Sequence, residues 1–451
     1  MPIILQLTIF LLQTLIGFFI ASLIGIKNKI ELIGLSILIG SGVTTYAIFL
    51  AYDYLHVLIN RQLVFKTLLF LSLLFGSLWA VTGKYKSIFY EKVSFRFKDF
   101  INWKKNPLGT LFIITIFLTL TLLTIGNLFW PIIDWDAIAL YDFRALVISA
   151  TGSFEDGIRR GYFLQYPPYT SLLHTISYLV GFTRAKLWYS FLYLAMILSF
   201  YGVVRRDRSK NQALFGSVVL MLSPVLLNGA QMAYTNLPYT IFISLGYLYI
   251  LSWIKARQKS YLLVGGLLTA FSTWVRLAEP FWFFSVLLII LGVIIHRKHI
   301  VSAIFSLLAI YLLKYPWVAF VAQKQSLKIP EAIVLLPATL GGFDPLLLLV
   351  RIPEVTAFFI KNTLSIFYIY LPPLLIILFI YFTKRRWLKL AESMVFFIPL
   401  GMIFVGTLLF SVTFPEWKSI PDSAARMSMF LIPIIIYLIS NSKIWGFDGK
   451  Q

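Results

Sequence analysis

Two aspartates separated by one tryptophan, Asp134-Trp135-Asp136, follow a long apolar run that ends in Trp130-Pro131. Carboxylates this close repel one another, and partial burial raises the pKa of one of them. Such a pair serves as a general base or as ligands to a divalent cation. The bland alternative is a solvated loop with a capping Asp. Solvated loops are built from Ser, Gly and Lys, whereas residues 131–168, PIIDWDAIALYDFRALVISATGSFEDGIRRGYFLQYPP, are aromatic and apolar. That composition favours a chemical role. Ala137 to Ala150 has helical spacing of apolar residues, interrupted by Tyr141, Asp142 and Arg144, and reads as a short helix on a membrane surface. Arg144 can clamp a phosphate or pair with Asp142. Arg159-Arg160 suits headgroups or solvent. Tyr166-Pro167-Pro168 forces an extended entry into the next apolar stretch, where His174 reads as a satisfied structural histidine.

Three further points carry polar residues where lipid forbids them. Tyr234-Thr235-Asn236 precedes Pro238. Arg276 and Glu279 sit between two apolar runs with almost no loop, in TWVRLAEPFW. Asp422 and Arg426 open the last run, in PDSAARMSMFLIP. An arginine at the mouth of a membrane span is costly unless it snorkels, pairs or lines a cavity.

The elements that must position these residues are membrane helices. Of 451 residues, 59% are hydrophobic and 13% charged, against about 45–50% and 25% in soluble domains. Lipid is the solvent in which this composition is stable. About 20 apolar residues make a spanning helix. The runs 3–26, 32–51, 63–82, 108–130, 187–204, 212–230, 238–254, 261–276, 280–296, 300–321, 362–382, 392–414 and 427–440 predict an all-α, polytopic bundle of about 13 spans. Residues 169–182 and 333–350 read as interfacial or re-entrant helices. The first run lacks a basic start and a small-x-small cleavage site, so it reads as a retained span.

The net charge of +21 would suggest nucleic acid in a soluble chain. Here the basic residues fall in alternate loops: Lys27/Lys29, Lys84 to Lys105, Arg205 to Lys210, Lys255 to Lys259, Arg297/Lys298 and Lys384 to Lys389. With those loops and the C-terminal tail inside, the inner side holds 24 Lys+Arg and 6 Asp+Glu, and the outer side 15 and 12. That is the positive-inside pattern, with affinity for anionic lipid and no call for nucleic acid. It puts the N-terminus outside, the C-terminus inside, and every polar point above on the outer face. Residues 84–105 read as a basic-aromatic cytoplasmic anchor. There is no cysteine, and the four histidines are scattered, so no thiolate site or histidine cluster is expected, while a divalent cation at the aspartate pair stays open.

At these residues the chain resembles the family 39-like branch of GT-C membrane glycosyltransferases, which includes protein O-mannosyltransferases and aminoarabinose transferases. The resembling pieces are Asp134-Trp135-Asp136, the Tyr-x-x-Arg-Ala helix from Tyr141 to Ala145, Tyr166 to Pro168, Tyr234 to Pro238, Arg276 to Glu279, and Arg426. The likeness covers roughly 108–440. Residues 1–106 would then be a three-span addition, 107–440 the catalytic module with its outer loop 131–168, and 441–451 a cytoplasmic tail.

The resemblance implies a prokaryotic, multi-pass cell-membrane enzyme. It would move a sugar from a polyprenyl-phosphate donor to a glycan, lipid or protein acceptor on the extracytoplasmic face. Asp136 or Asp134 would be the base, and Arg426, Arg276 and Arg144 would hold the donor phosphate. Tyr141, Tyr166, Asn236, Glu279 and Asp422 would complete the substrate site. Relatives often carry Asp-Glu at the first motif and Asp where Asn236 stands. Rival readings are an O-antigen ligase or polymerase, a flippase of lipid-linked saccharides, and a non-catalytic scaffold. A flippase should carry charges deep within several spans; here they sit at the outer rim.

Overall fold

The computed structural model describes residues 2–83, 106–159, 166–277, 281–324, 345–413, 417–419 and 421–442. Glu279, Arg160 and the basic-aromatic segment 84–105 lie outside these residues. So do most of 333–350 and the side chains of Arg159 and Asp422. Among the described residues every element is a helix and none is a strand.

Helices α1 (Pro2–Ile24), α2 (Lys29–Leu55), α3 (Arg61–Val81) and α4 (Pro107–Phe129) come first. A six-residue π-helix (Ala137–Asp142) then runs into the short helices α5 (Phe143–Thr151), α6 (Phe154–Arg159) and α7 (Tyr169–Leu179). The chain continues through α8 (Leu187–Arg205), α9 (Lys210–Met221), α10 (Pro224–Met232), α11 (Asn236–Ala256), α12 (Lys259–Val275), α13 (Phe281–His296) and α14 (Ile300–Lys324). It closes with α15 (Pro345–Asn362), α16 (Leu371–Thr383), α17 (Trp387–Thr413), α18 (Pro421–Ser428) and α19 (Leu431–Ser440).

Among the described residues, eight helices are long and apolar enough to cross a membrane, or up to ten spans if each of two bent pairs counts as one. The run expected as one span at 212–230 breaks at Leu222-Ser223, where α9 and α10 meet at 56°. Pro224 begins α10; with no N–H to give and a ring that blocks the preceding turn, it cannot continue α9. The run at 362–382 turns by 88° ahead of Pro372-Pro373. These breaks, and the shorter lengths of α12, α13 and α19, separate the observed count from the expected 13.

Small residues bring the helices together. A Cβ on Gly17 would collide with the Ser36 carbonyl and one on Gly40 with the Gln13 carbonyl, so α1 and α2 pack backbone to backbone. Helix α2 is a core helix, fastened along its length: Glu31 pairs with Arg206, the Ser41 and Tyr169 hydroxyls lie 2.9 Å apart, and Tyr52 and Ser153 lie 3.2 Å apart. Through α2, residues 2–83 are tied to the helices that follow.

The two ends of the bundle differ in charge. At one end the loops rich in Lys and Arg meet: Glu31 with Arg206, Lys255 with Glu392 and Asp207, and Arg208 with Asn441. The segments carrying Asp136, Asn236, Arg276 and Arg426 meet at the other, at the far ends of these helices.

Candidate functional site

Asp136 sits just ahead of the π-helix, at helical φ and ψ, and its carboxylate makes no capping hydrogen bond. It is half-buried and accepts instead from Arg426 Nη1 at 2.7 Å, a residue 290 positions further on. The π-helix that follows is a wide turn of a kind concentrated at functional sites. It carries Tyr141 inward, where the hydroxyl lies 3.0 Å from Thr235 Oγ1 and the ring packs edge-on to Tyr166 at 5.5 Å. Burial raises the Tyr141 pKa well above its usual value, the neighbouring Tyr166 adds to that, and Arg276 opposes it. The phenol therefore stays protonated and remains a hydrogen-bond donor.

Arg276 ends α12 in extended conformation. Its Nη1 donates to Asn236 Oδ1 at 2.6 Å, and its guanidinium lies 5.2 Å from the Tyr166 ring centre. Asn236 opens α11. Arg426, on α18, lies 5.5 Å from the Tyr234 ring. Ala233, immediately before Tyr234, is held in the left-handed region at φ 60, which costs a non-glycine residue about 1–2 kcal/mol and turns the chain into the site.

Asp136, Tyr141, Tyr166, Tyr234, Asn236, Arg276 and Arg426 together line one small cleft with a cavity volume of about 50 Å3. Six of the seven were expected from the sequence; Tyr234 was seen only as part of the turn before Pro238. Two guanidiniums and one carboxylate leave these walls with one net positive charge, which suits an anionic ligand. Three phenol rings supply faces for an apolar or sugar surface.

Two expected members are elsewhere. Arg144 does not line the cleft: its side chain is fully buried. Its Nε donates to Ser171 Oγ at 2.7 Å, its Nη1 to the Tyr166 carbonyl at 2.7 Å, and its Nη2 to the Pro167 carbonyl at 3.3 Å. Its guanidinium also faces the Trp317 ring at 5.8 Å. It does not pair with Asp142 either, which binds His174 Nδ1 at 2.9 Å and the Tyr178 hydroxyl. Burial, with Asp142 adding to it, pushes the Tyr178 pKa upward. His174 is thus fully partnered. Arg144 instead fixes the backbone at Tyr166, a role that spacing along the chain does not signal.

Asp134, also half-buried, is not part of the cleft wall. It acts on Lys186, whose pKa is lowered by burial and raised in part by Asp134. Lys186 Nζ donates to the Pro131 carbonyl at 3.3 Å. Glu279 and the Asp422 side chain are outside the described residues. Among the described residues no three His, Asp or Glu side chains gather as metal ligands would. No family model, curated protein or solved structure matches the chain.

Proposed function

We propose that the protein is an integral membrane glycosyltransferase that moves a sugar from a polyprenyl-phosphate donor to an acceptor hydroxyl, with Asp136 as general base. The observation that carries this reading is the meeting of Asp136, Arg276 and Arg426 in one cleft from three distant parts of the chain. We read α12, α13 and α19 and each bent pair as spans, about 13 in all. The cleft then faces the extracytoplasmic side, opposite the basic loops.

The chemistry follows from the charges. The donor phosphate is an anion whose charge grows as it leaves. Planar guanidiniums bind it by paired hydrogen bonds and stabilise that growing charge. Without ligand, Arg426 is engaged by Asp136. A phosphate entering between Arg276 and Arg426 competes for Arg426 and releases the carboxylate. Asp136 then takes the proton of the acceptor hydroxyl. The acceptor oxygen bonds to the anomeric carbon, the bond from that carbon to the phosphate oxygen breaks, and its electron pair stays on the phosphate. One such displacement inverts the anomeric centre. The products are an O-glycoside and polyprenyl phosphate.

The test uses the full-length protein in vesicles with a radiolabelled polyprenyl-phosphate sugar and mixed cell-envelope acceptors. Label should leave the organic lipid phase with wild type and stay there with Asp136→Asn. Label moving across the vesicle without bond cleavage would replace this reading with transport.

A further inference from the structure

A second site lies at the basic end of the bundle, away from the cleft. Helices α2, α4, α8 and α9 surround an almost wholly apolar groove with a cavity volume of about 510 Å3, open along one side. Its deep part is walled by Ile116, Leu120 and Leu194, and its mouth by Lys29 and Tyr201. Arg205 follows one helical turn beyond Tyr201, in the last turn of α8. The mouth is therefore cationic, and it is also the N-terminus of the 27-residue helix α2, whose dipole favours an anion there.

The length fits one leaflet. The eleven steps from Leu194 to Arg205 along α8 rise about 16 Å at 1.5 Å per residue. Half of a hydrocarbon core of about 30 Å is close to that. A ligand that is apolar over this depth and anionic at one end is a phospholipid acyl chain below its phosphate.

We propose that this groove is a specific site for an anionic phospholipid, with one acyl chain between α4 and α8 and its headgroup phosphate at Lys29 and Arg205. The bilayer supplies the occupant laterally through the open side. Charge selects it: a zwitterionic lipid fills the groove equally well but brings a cationic group to a cationic mouth. The site is independent of the glycosyl-transfer reading.

Native mass spectrometry of the full-length protein, released from detergent with phosphatidylglycerol or phosphatidylcholine added, tests this. Wild type should retain phosphatidylglycerol in preference. Lys29→Gln should weaken that preference about fivefold, the worth of one basic residue at an anionic headgroup. Lys384→Gln, at the same end but outside the groove, should leave it unchanged. Ile116→Trp, which fills the tail channel, should lower retention of both lipids while the thermal transition shows the protein folded. Equal retention of the two lipids by wild type would overturn the proposal. So would an equal loss in Lys29→Gln and Lys384→Gln, or full retention by folded Ile116→Trp.

Discussion

Two carboxylate–guanidinium pairs sit at opposite ends of the bundle and are built for different purposes. At the basic end Glu31 is 2% exposed; it pairs with Arg206 and accepts from the Tyr249 hydroxyl at 2.7 Å. The Arg206 guanidinium lies 4.6 Å from the Tyr249 ring and 3.8 Å from Tyr261. This pair binds α2, α8 and α11 together. At the cleft end the side chains of Asp136 and Arg426 remain 36% and 26% exposed and face a cavity. A pair sealed by rings resists separation. A pair on a cavity wall can exchange its partner for a ligand. The chemistry of the residues is the same in both places, and access alone separates a structural tie from a site.

The sharpest test of that contrast sets Asp136→Asn against Glu31→Gln. Asp136→Asn should reduce sugar transfer by about a hundredfold or more, the usual worth of a general base. Its stability should change by no more than about 1 kcal/mol, as for an exposed pair. Glu31→Gln should lower stability by up to about 3 kcal/mol, because the mostly covered Arg206 guanidinium loses its counter-charge beside the Tyr249 and Tyr261 rings. Turnover in vesicles and thermal unfolding in detergent read the two effects. An Asp136→Asn protein that unfolds while Glu31→Gln stands would reverse the assignment.

Next in size are the cleft arginines. Lysine keeps the charge of Arg276 or Arg426 but cannot copy the planar fork. Each lysine variant should lose most activity and weaken inhibition by free polyprenyl phosphate about tenfold, roughly 1.4 kcal/mol. Asp422→Asn should be milder than Arg426→Lys. Unchanged inhibition in both lysine variants would remove these residues from the phosphate site. Arg144→Lys belongs to the other class. It leaves buried acceptors at Tyr166, Pro167 or Ser171 unmatched, at about 1–3 kcal/mol of stability. Its activity should fall without any change in phosphate inhibition, so an inhibition shift there would make Arg144 a ligand after all.

Most of the cleft was legible because lipid makes polar residues conspicuous. Arg276, Arg426, Asn236 and Asp136 each stand at the edge of an apolar run, where only a cavity, a partner or water justifies them. The alternation of basic loops then placed their segments at one end. What was not legible depends on direction rather than type. Hydropathy cannot distinguish a straight span from two helices meeting at 56° or 88°. It also cannot tell an arginine that faces a cleft from one that faces backbone carbonyls, as Arg144 does. The place of α2 in the core was hidden for a similar reason. Its glycines and serines read as ordinary membrane-helix composition, and the partners of Glu31, Ser41 and Tyr52 lie more than 100 residues away.

The smallest expected effect concerns the question that motif spacing left open, which aspartate matters. Asp134 and Asp136 are two residues apart, but their environments diverge because the π-helix begins between Asp136 and Ala137. Asp136 reaches the cleft and Arg426. Asp134 faces Lys186, which is lowered from its ordinary value of 10.5 chiefly by burial and held up in part by Asp134. Asp134→Asn should therefore change transfer by only about twofold, within the range of a surface substitution, and leave phosphate inhibition alone. Its signature should be in stability. A lysine whose folded pKa lies below its unfolded value destabilises the fold while charged, and that penalty disappears as pH rises through the folded value. Removing Asp134 lowers the Lys186 pKa further and enlarges the penalty at neutral pH, by less than about 1 kcal/mol. The deficit relative to wild type should close as pH rises towards 10.5. Thermal unfolding of the two proteins at neutral pH and near pH 10 measures this. A loss of transfer in Asp134→Asn as large as in Asp136→Asn would mean that the two carboxylates act as one unit, and the contrast between the cleft wall and its rim would have to be given up.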